Sequence, residues 1–261
     1  MTMFDQGTGP VVVVVPGLQG RWEWMTPALR QLATRCRVIS YSLCGDLGSG
    51  RATDGSLGFE GYIRQLDDVL HAAGVERAAI CGVSFGGFIA LRYAAQRPSR
   101  VGALVLASAP APGWRPSPQQ ARWLARPWLS APAFVASSPF RLWPEVRAAR
   151  PTLPSRLGFF AQQGLRAARS PMIPGLMARR IREAQALDFR QDCARVQVPT
   201  LIVTGEEALD RVVPVRSTRS YASLIRDARY ETMEHTGHIG MLTQPDRFAD
   251  LVGGFVHAHD F

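Results

Sequence analysis

One short stretch of the chain combines a predicted buried strand, a glycine-flanked serine and the start of a predicted helix. The apolar run at 78–81 leads directly into the sequence GVSFGG at 82–87. The glycines two residues before and after Ser84 have no Cβ, so a strand and a helix can approach each other closely there. The spacing predicts a sharp strand-to-helix turn that lifts the Ser84 hydroxyl clear of a sheet. Such a turn also leaves the backbone amide of Phe85 exposed beside that hydroxyl.

Strands and helices are predicted to alternate on both sides of this turn. Apolar and β-branched runs without polar alternation indicate strands buried on both faces, as in a parallel sheet. The predicted strands are 11–15, 37–41, 78–83, 101–107, 200–204 and 230–233. The predicted helices are 26–35, 59–73, 86–96, 215–224 and 245–256. Alternation of this kind implies right-handed crossovers and a doubly wound, mostly parallel α/β sheet.

Residues 110–195 interrupt the alternation. They contain 12 of the 19 prolines and four of the six tryptophans, and short helices are predicted at 118–126, 155–168 and 175–187. We interpret residues 111–194 as a helical cap inserted between two strands of the sheet, and we call them the insertion. The α/β core is then expected in two parts, residues 1–110 and residues 195–261.

Composition argues against several other classes of protein. A hydrophobic content of 46% is ordinary for a globular protein. No stretch approaches the roughly 20 apolar residues of a membrane span, and the first 20 residues lack the basic residues of a secretory signal. The cysteines form no CxxC pair, which favours thiols in a reducing cytoplasm over disulfides or a metal site. They are Cys36, Cys44, Cys81 and Cys193. We expect a cytoplasmic protein with no metal and no cofactor.

Positive charge is concentrated in the insertion. All 30 basic residues are arginine, and residues 112–190 carry 13 of them with only three acids, Glu145, Glu183 and Asp188. Three explanations remain open: a solvated face with compositional bias, a site that binds an anionic group of the substrate through bidentate hydrogen bonds, or peripheral contact with anionic lipid. No nucleic-acid-binding motif accompanies the charge, so nucleic acid is not an expected partner.

Ser84 would need a base and an acid to become a nucleophile. A histidine takes the hydroxyl proton, and a carboxylate orients that histidine and stabilises its protonated form. Asp210 follows the predicted strand 200–204 and His238 follows the last predicted strand, so both are expected at the same edge of the sheet as Ser84. The less favoured alternatives are Glu206 and Glu207 as the acid and His235 as the base.

The chain also offers candidates for an oxyanion hole and a substrate cleft. An oxyanion hole needs two hydrogen-bond donors, and the amide of Phe85 is one candidate. The amide of Leu18, in the loop PGLQG at 16–20, is the other. Four tryptophans could line a substrate cleft, although packing in the core explains them equally well: Trp22, Trp24, Trp123 and Trp128.

Taken together, these motifs resemble the α/β-hydrolase superfamily. The resemblance covers residues 10–110 and 195–258, with motifs at 16–20, 44–49, 82–87, 205–214 and 237–238. It implies that Ser84 is the nucleophile, His238 the base and Asp210 the orienting acid. The amides of Leu18 and Phe85 would form the oxyanion hole, and the insertion would be the family's variable cap.

Three features depart from the usual pattern of that superfamily. The oxyanion loop commonly begins His-Gly, but here it begins Pro16-Gly17, and the missing imidazole changes how the loop is supported. The motif at 44–49 has one more residue between its glycines than usual. Only ten residues precede the first long strand, so the family's opening hairpin is expected to be shortened or missing.

The activity implied by the resemblance is hydrolysis of a carboxylic ester through an acyl-enzyme, with a small-molecule ester or an anionic acyl compound as substrate. A serine at the turn argues against haloalkane dehalogenases and epoxide hydrolases, which need an aspartate nucleophile. Three enzymatic alternatives share the same residues: a C–C bond hydrolase for an anionic diketo acid, a cofactor-free perhydrolase, and an acyltransferase or thioesterase. The alternative of another class is a non-catalytic ligand receptor on a hydrolase scaffold.

Overall fold

The computed structural model describes residues 2–50 and 57–259. Its strands are Met3–Gln6 (β1), Val11–Val15 (β2), Arg37–Tyr41 (β3), Ala78–Val83 (β4), Val101–Ala107 (β5), Thr200–Thr204 (β6) and Ala228–Thr232 (β7). They form a seven-stranded sheet in the order β1-β3-β2-β4-β5-β6-β7. β1 runs antiparallel to β3, and the other neighbouring pairs are parallel. The predicted mostly parallel α/β sheet is therefore confirmed.

Helices flank this sheet and fill the insertion. They are Thr26–Leu32 (α1), Glu60–Ala72 (α2), Gly86–Gln96 (α3), Pro118–Ala125 (α4), Pro127–Ala149 (α5), Leu153–Arg169 (α6), Pro174–Gln185 (α7), Phe189–Arg195 (α8), Val215–Arg219 (α9), Tyr221–Leu224 (α10), Gly240–Thr243 (α11) and Pro245–His257 (α12). Short 3-10 turns lie at Trp22–Met25 and Pro98–Arg100.

The sheet separates two apolar layers. Successive residues of a strand point to opposite faces, so Val13 and Ile80 pack in the layer of α2 and α3, whereas Val12 and Ala79 pack in the layer of α1 and α12. All four of these side chains are fully buried. Burial on both faces explains why the strand sequences lack polar alternation.

The N-terminal strand β1 is an addition to the strands predicted from sequence. It pairs antiparallel with β3 at the edge of the sheet, so it does not form a hairpin with the next strand, β2. Of its four residues only Phe4 is buried. A strand of this length with one buried side chain carries little sequence periodicity, which is why no strand is predicted there.

The insertion contains five helices, α4 to α8, where three short helices are predicted. α5 spans 23 residues and contains three internal prolines, Pro132, Pro139 and Pro144. Proline removes a backbone donor and normally ends or kinks a helix. Near Pro139, the carbonyl of Phe134 accepts hydrogen bonds from three side chains, those of Ser137, Ser138 and Arg141. The carbonyl that loses its backbone donor at Pro139 is that of the next residue, Val135.

The last helix of the insertion packs against the core. Phe189 of α8 stacks on Phe88 of α3 with ring centroids 4.3 Å apart. Asp192 of α8 forms an ion pair with Arg92 of α3 at 3.1 Å. α8 is therefore part of the layer that covers one face of the sheet, although it precedes β6 in the chain.

Within the described residues, three features of other protein classes are absent. Residues 2–50 and 57–259 include no helix with the length and apolar character that crossing a membrane requires. The four cysteines are buried, and no disulfide joins them. In the same ranges, no three His, Cys, Asp or Glu side chains are grouped closely enough to bind a metal ion.

Candidate active site

Ser84 occupies a strained turn between β4 and α3. Its φ is +51°, in the left-handed region that residues with a side chain rarely adopt. A Cβ on Gly82 would overlap the carbonyl oxygen of Gly86, and a Cβ on Gly86 would overlap the carbonyl oxygen of Val15. The flanking glycines are therefore required by direct backbone contacts around the serine, as the spacing of the motif predicts.

The structure brings Ser84, His238 and Asp210 into one hydrogen-bonded series. Ser84 Oγ lies 3.0 Å from His238 Nε2, and His238 Nδ1 lies 3.2 Å from Asp210 Oδ2. The side chains of His238 and Asp210 are 11% and 2% exposed. A hydroxyl, an imidazole and a carboxylate in this order can move a proton away from the hydroxyl and stabilise the resulting imidazolium.

The two oxygens of Asp210 have different partners. Oδ1 accepts hydrogen bonds from the amides of Val212 at 2.8 Å and Val213 at 2.9 Å, while Oδ2 faces His238. The backbone therefore fixes the carboxylate and leaves one oxygen for the imidazole. Asp210 also stabilises its own loop, so a local structural role and a role toward His238 coexist.

The alternative acids and base lie outside this series. Glu206 accepts a hydrogen bond from the backbone amide of His235 at 2.6 Å, and Glu207 pairs with Arg216 at 2.6 Å on the surface. The side chain of His235 is 70% exposed. The structure thus places Asp210 and His238 beside Ser84, and it gives their alternatives other partners or solvent.

Burial and neighbouring charges act in opposite directions on His238. Burial lowers its pKa, but the charge and hydrogen bond of Asp210 and the charge of Glu145 raise it, and the resulting pKa lies above the usual histidine value. Burial raises the pKa of Asp210, yet His238 and the two valine amides outweigh burial, and the resulting pKa lies below its usual value. An imidazolium at His238 therefore faces an ionised carboxylate.

The loop that follows β2 lies next to Ser84. A Cβ on Gly17 would be 3.5 Å from the Cβ of Ser84. The carbonyl of Gly17 accepts a hydrogen bond from the amide of Gly20 at 3.0 Å, so residues 17–20 form a turn. In the part of the chain that the structure describes, neither the Leu18 amide nor the Phe85 amide donates to another protein group. Within that part, neither amide is therefore occupied by a protein acceptor.

A buried arginine of the insertion supports this loop. Arg180 of α7 is 1% exposed, donates to the carbonyl of Leu18 at 3.0 Å and forms an ion pair with Asp46. Gly20, with a φ of +81°, packs directly against both charged side chains. The loop that lacks the family's usual histidine is thus supported by an arginine from a distant part of the chain.

The insertion reaches the site at a second point, through Glu145 of α5. Glu145 is 1% exposed, and both of its carboxylate oxygens lie 3.1 Å from the amide nitrogen of Ile239, the residue after His238. The hydroxyl of Thr243 lies 3.3 Å from the same carboxylate. Burial raises the pKa of Glu145 to about 7, although the amides of Gly237 and Ile239 and the charge of His238 lower it.

Neither Glu145 nor Arg180 is assigned to the site from the sequence. Glu145 is the only acidic residue in helices α4 to α6, and this isolation within an arginine-rich segment is the one signal that could have indicated a special role. Arg180 is one of the 13 arginines at 112–190, and nothing in the sequence marks it as the buried one.

The four tryptophans predicted as candidates for substrate contact lie in separate environments. Trp22 packs on an aromatic ring of β1, and the indole of Trp24 donates to a backbone carbonyl between α6 and α7 at 2.9 Å. Trp123 packs edge-on against an aromatic ring of α5, and Trp128 is 66% exposed. None of these contacts involves Ser84 or His238, so a role for the tryptophans in substrate binding stays a prediction.

Comparison with known proteins identifies similarity over nearly the whole chain. Residues 10–245 match the family model described as alpha/beta hydrolase fold. Among curated relatives, "Putative carbamate hydrolase RutD" of Azorhizobium caulinodans is 28% identical over 253 residues, covering 95% of this chain and 92% of the relative.

Solved structures of low sequence identity share the fold. An esterase from Exiguobacterium antarcticum has a TM-score of 0.78 at 20% identity, covering 98% of this chain and 94% of the esterase. The enol-lactonase from Burkholderia xenovorans LB400 has a TM-score of 0.73 at 19% identity, covering 98% of this chain and 96% of the lactonase.

Proposed function

Because the chain belongs to the α/β-hydrolase fold family and is a hydrolase, we propose that it cleaves a carboxylic ester through an acyl-enzyme formed on Ser84. The observation that carries this proposal is the hydrogen-bonded series from Asp210 through His238 to Ser84, with separations of 3.2 and 3.0 Å. The strained φ of Ser84 and the two amides that have no protein acceptor among the described residues add support, because both are features of a site built for acyl transfer.

In the first half of the proposed reaction, Ser84 Oγ attacks the ester carbonyl carbon while His238 Nε2 takes the hydroxyl proton. Asp210 stabilises the imidazolium through Nδ1. The carbonyl oxygen becomes an oxyanion that accepts hydrogen bonds from the amides of Leu18 and Phe85. His238 then gives its proton to the leaving alcohol as the carbon–oxygen bond breaks, and the acyl group remains on Ser84.

In the second half, water replaces the alcohol. His238 takes a proton from the water as its oxygen attacks the acyl carbon, and the same two amides stabilise the second oxyanion. Collapse of this intermediate returns the proton to Ser84 Oγ and releases the carboxylic acid. His238 acts as a base and then as an acid in each half, so it must begin each half neutral.

A carbamate is the second candidate substrate class. The observation that favours it is the name of the relative from Azorhizobium caulinodans, which matches 95% of this chain. A carbamate carbonyl is attacked by the same serine and stabilised by the same amides, so the described residues suit both classes. The two candidates differ in the group attached to the carbonyl carbon, which has to be tested with substrates.

A fluorophosphonate probe tests the proposed nucleophile directly. We expect the probe to label the wild-type protein at Ser84, as located by mass spectrometry of the adduct, and Ser84→Ala to remain unlabelled. Hydrolysis of p-nitrophenyl esters and release of ammonia from simple carbamates would then be compared in the same two proteins. A folded wild-type sample that is unlabelled, or is labelled at another residue, would contradict the proposal.

The dependence of the rate on pH tests the base. His238 must be neutral to accept the proton, and its pKa lies above the usual value of about 6.5. We therefore expect kcat/KM to fall as the pH decreases through that raised pKa, with about a tenfold loss for each further pH unit. A kcat/KM that stays flat from pH 7 to pH 5 would rule out a histidine base.

A further inference from the structure

The loop that carries His238 is held from two sides. On the core side, the carbonyl of Thr236 accepts a hydrogen bond from the amide of Glu206 at 2.8 Å, and Gly205 packs directly against the backbone of Gly237. On the other side, Glu145 accepts the hydrogen bond from the amide of Ile239. Among the described residues of the insertion, Glu145 is the only one whose side chain bonds to this loop.

The surroundings of Glu145 are unusual for a buried carboxylate. Burying a charge is costly unless it is paired and hydrogen-bonded. The insertion is rich in arginine, yet within the described ranges no arginine forms an ion pair with Glu145. Its polar neighbours are instead backbone amides, the Thr243 hydroxyl and His238. A carboxylate here serves no salt bridge, and its contacts converge on the backbone around His238.

We propose that Glu145 is a positioning residue for His238. This inference rests on the proposed function, in which His238 is the base. The hydrogen bond to Ile239 fixes the peptide that follows His238 and so helps to keep the imidazole between Ser84 and Asp210. When it is ionised, Glu145 also adds a second negative charge near the imidazolium that forms when His238 takes a proton.

The position of Glu145 links the insertion to the core. Glu145 lies on α5 and Ile239 precedes α11, and the two residues are 94 positions apart in the chain. A shift of α5 would therefore be transmitted to the backbone beside His238. The insertion thus contributes to the alignment of the three catalytic side chains as well as covering the core.

Two variants separate the effect of side-chain length at position 145 from the effect of charge. Glu145→Gln keeps the length of the side chain and an acceptor oxygen but removes the charge. Glu145→Asp keeps the charge but shortens the side chain. The matched control is Glu183→Gln, because Glu183 also lies in the insertion but is bonded to Arg179 and Tyr62. The titratable groups that face Glu145 are His238 and Asp210, and both are unchanged in all three variants.

Two rates would be measured from pH 5 to pH 9: labelling of Ser84 by a fluorophosphonate probe and steady-state hydrolysis of p-nitrophenyl acetate. We expect Glu145→Asp to lower the labelling rate and kcat about tenfold and to leave KM within twofold of the wild type. The acid limb, which is the fall of the rate at low pH, should not move, because a carboxylate remains near His238. We expect Glu145→Gln to move the acid limb to lower pH by less than about half a unit, because burial raises the pKa of Glu145 to about 7 and only its ionised fraction favours the imidazolium. Glu183→Gln should match the wild type.

Each outcome is decisive for the inference. Wild-type labelling rates and an unmoved acid limb in both Glu145 variants would overturn it, as would an equal effect of Glu183→Gln. If neither Glu145 variant gives folded protein, Thr243→Val, which removes a donor to the carboxylate, should slow labelling about threefold, and no slowing would count against the inference. A wild-type protein that is not labelled at Ser84 would instead remove the proposed function itself.

Discussion

The core and the insertion differ in how closely their residues are constrained. A Cβ on Gly82 or Gly86 would overlap neighbouring backbone, whereas a Cβ on Gly158 or Gly164 of α6 would meet nothing within 4 Å. Eight of the nine large hydrophobic side chains that are exposed in the described chain belong to the insertion. Close packing leaves a residue one conformation, and open surroundings leave it several.

This difference indicates where the chemistry of the protein can be located. Ser84, Asp210 and His238 all extend from loops at the carboxyl edge of the sheet, and the turn that carries Ser84 has no spare volume. Two buried side chains of the insertion are constrained as closely as this turn. They are Glu145 and Arg180, and both contact the loops around the site. Most other side chains of the insertion are exposed or half-buried.

The largest effect that tests this comparison is expected at Asp210 in the core. In Asp210→Asn, the amide oxygen can still accept from Val212 and Val213, which turns the amide nitrogen toward His238 Nδ1. The imidazole would then have to accept at Nδ1 and donate at Nε2, the wrong tautomer for a base. We expect kcat to fall about 10⁴-fold. Wild-type rates in this variant, or a similar loss in Glu207→Gln, would contradict the assignment.

A second large effect is expected inside the insertion, at Arg180. Arg180→Met would leave Asp46 buried without its cation, and breaking a buried ion pair from one side costs about 3–5 kcal/mol. The neighbouring Arg179 is the control, because its pair with Glu183 is partly exposed and is worth about 1 kcal/mol or less. Urea denaturation of Arg180→Met and Arg179→Met would measure both free energies of unfolding. Equal losses would show that burial does not distinguish the two arginines.

The features that could be predicted from sequence lie mainly in the core, and those that could not lie mainly in the insertion. The parallel sheet and the turn at Ser84 are encoded locally, by apolar runs and by glycines two residues from the serine. Asp210 and His238 are each recognisable because they follow predicted strands. Each of these signals lies within a few neighbouring residues, so it can be recognised without knowledge of the fold.

The parts that sequence analysis missed depend on distant contacts. Glu145 and Ile239 are 94 residues apart, and Arg180 and Leu18 are 162 residues apart. Ser84 and His238 are also 154 residues apart, but each follows a predicted strand. Glu145 and Arg180 instead lie within helices of the insertion and have no such position relative to a strand. Helix α5 was missed for another reason: its three prolines are local signals against a helix.

A smaller loss of stability is expected from one added methyl group at the turn in the core. A Cβ on Gly82 would overlap the carbonyl of Gly86 and lie 2.7 Å from the Cβ of Ala90. Overpacking of this kind costs about 1–3 kcal/mol. We expect Gly82→Ala to unfold at lower urea concentration than the wild type and to label more slowly with a fluorophosphonate. Unchanged stability would mean that the turn can relax, which would weaken the contrast with the insertion.

The smallest effect is expected in the insertion and has the opposite sign. Gly158 lies inside α6 with open space around the site of a Cβ. Alanine has a better helix propensity than glycine and reduces the freedom of the unfolded chain, so Gly158→Ala should stabilise the protein by about 0.5–1 kcal/mol. Urea denaturation of Gly158→Ala and Gly82→Ala would show whether the free energy of unfolding changes in opposite directions in the two variants. A destabilised Gly158→Ala would show that α6 is constrained as tightly as the core. A neutral result would indicate that α6 unfolds separately from the sheet, because a gain confined to it would then not reach the global transition.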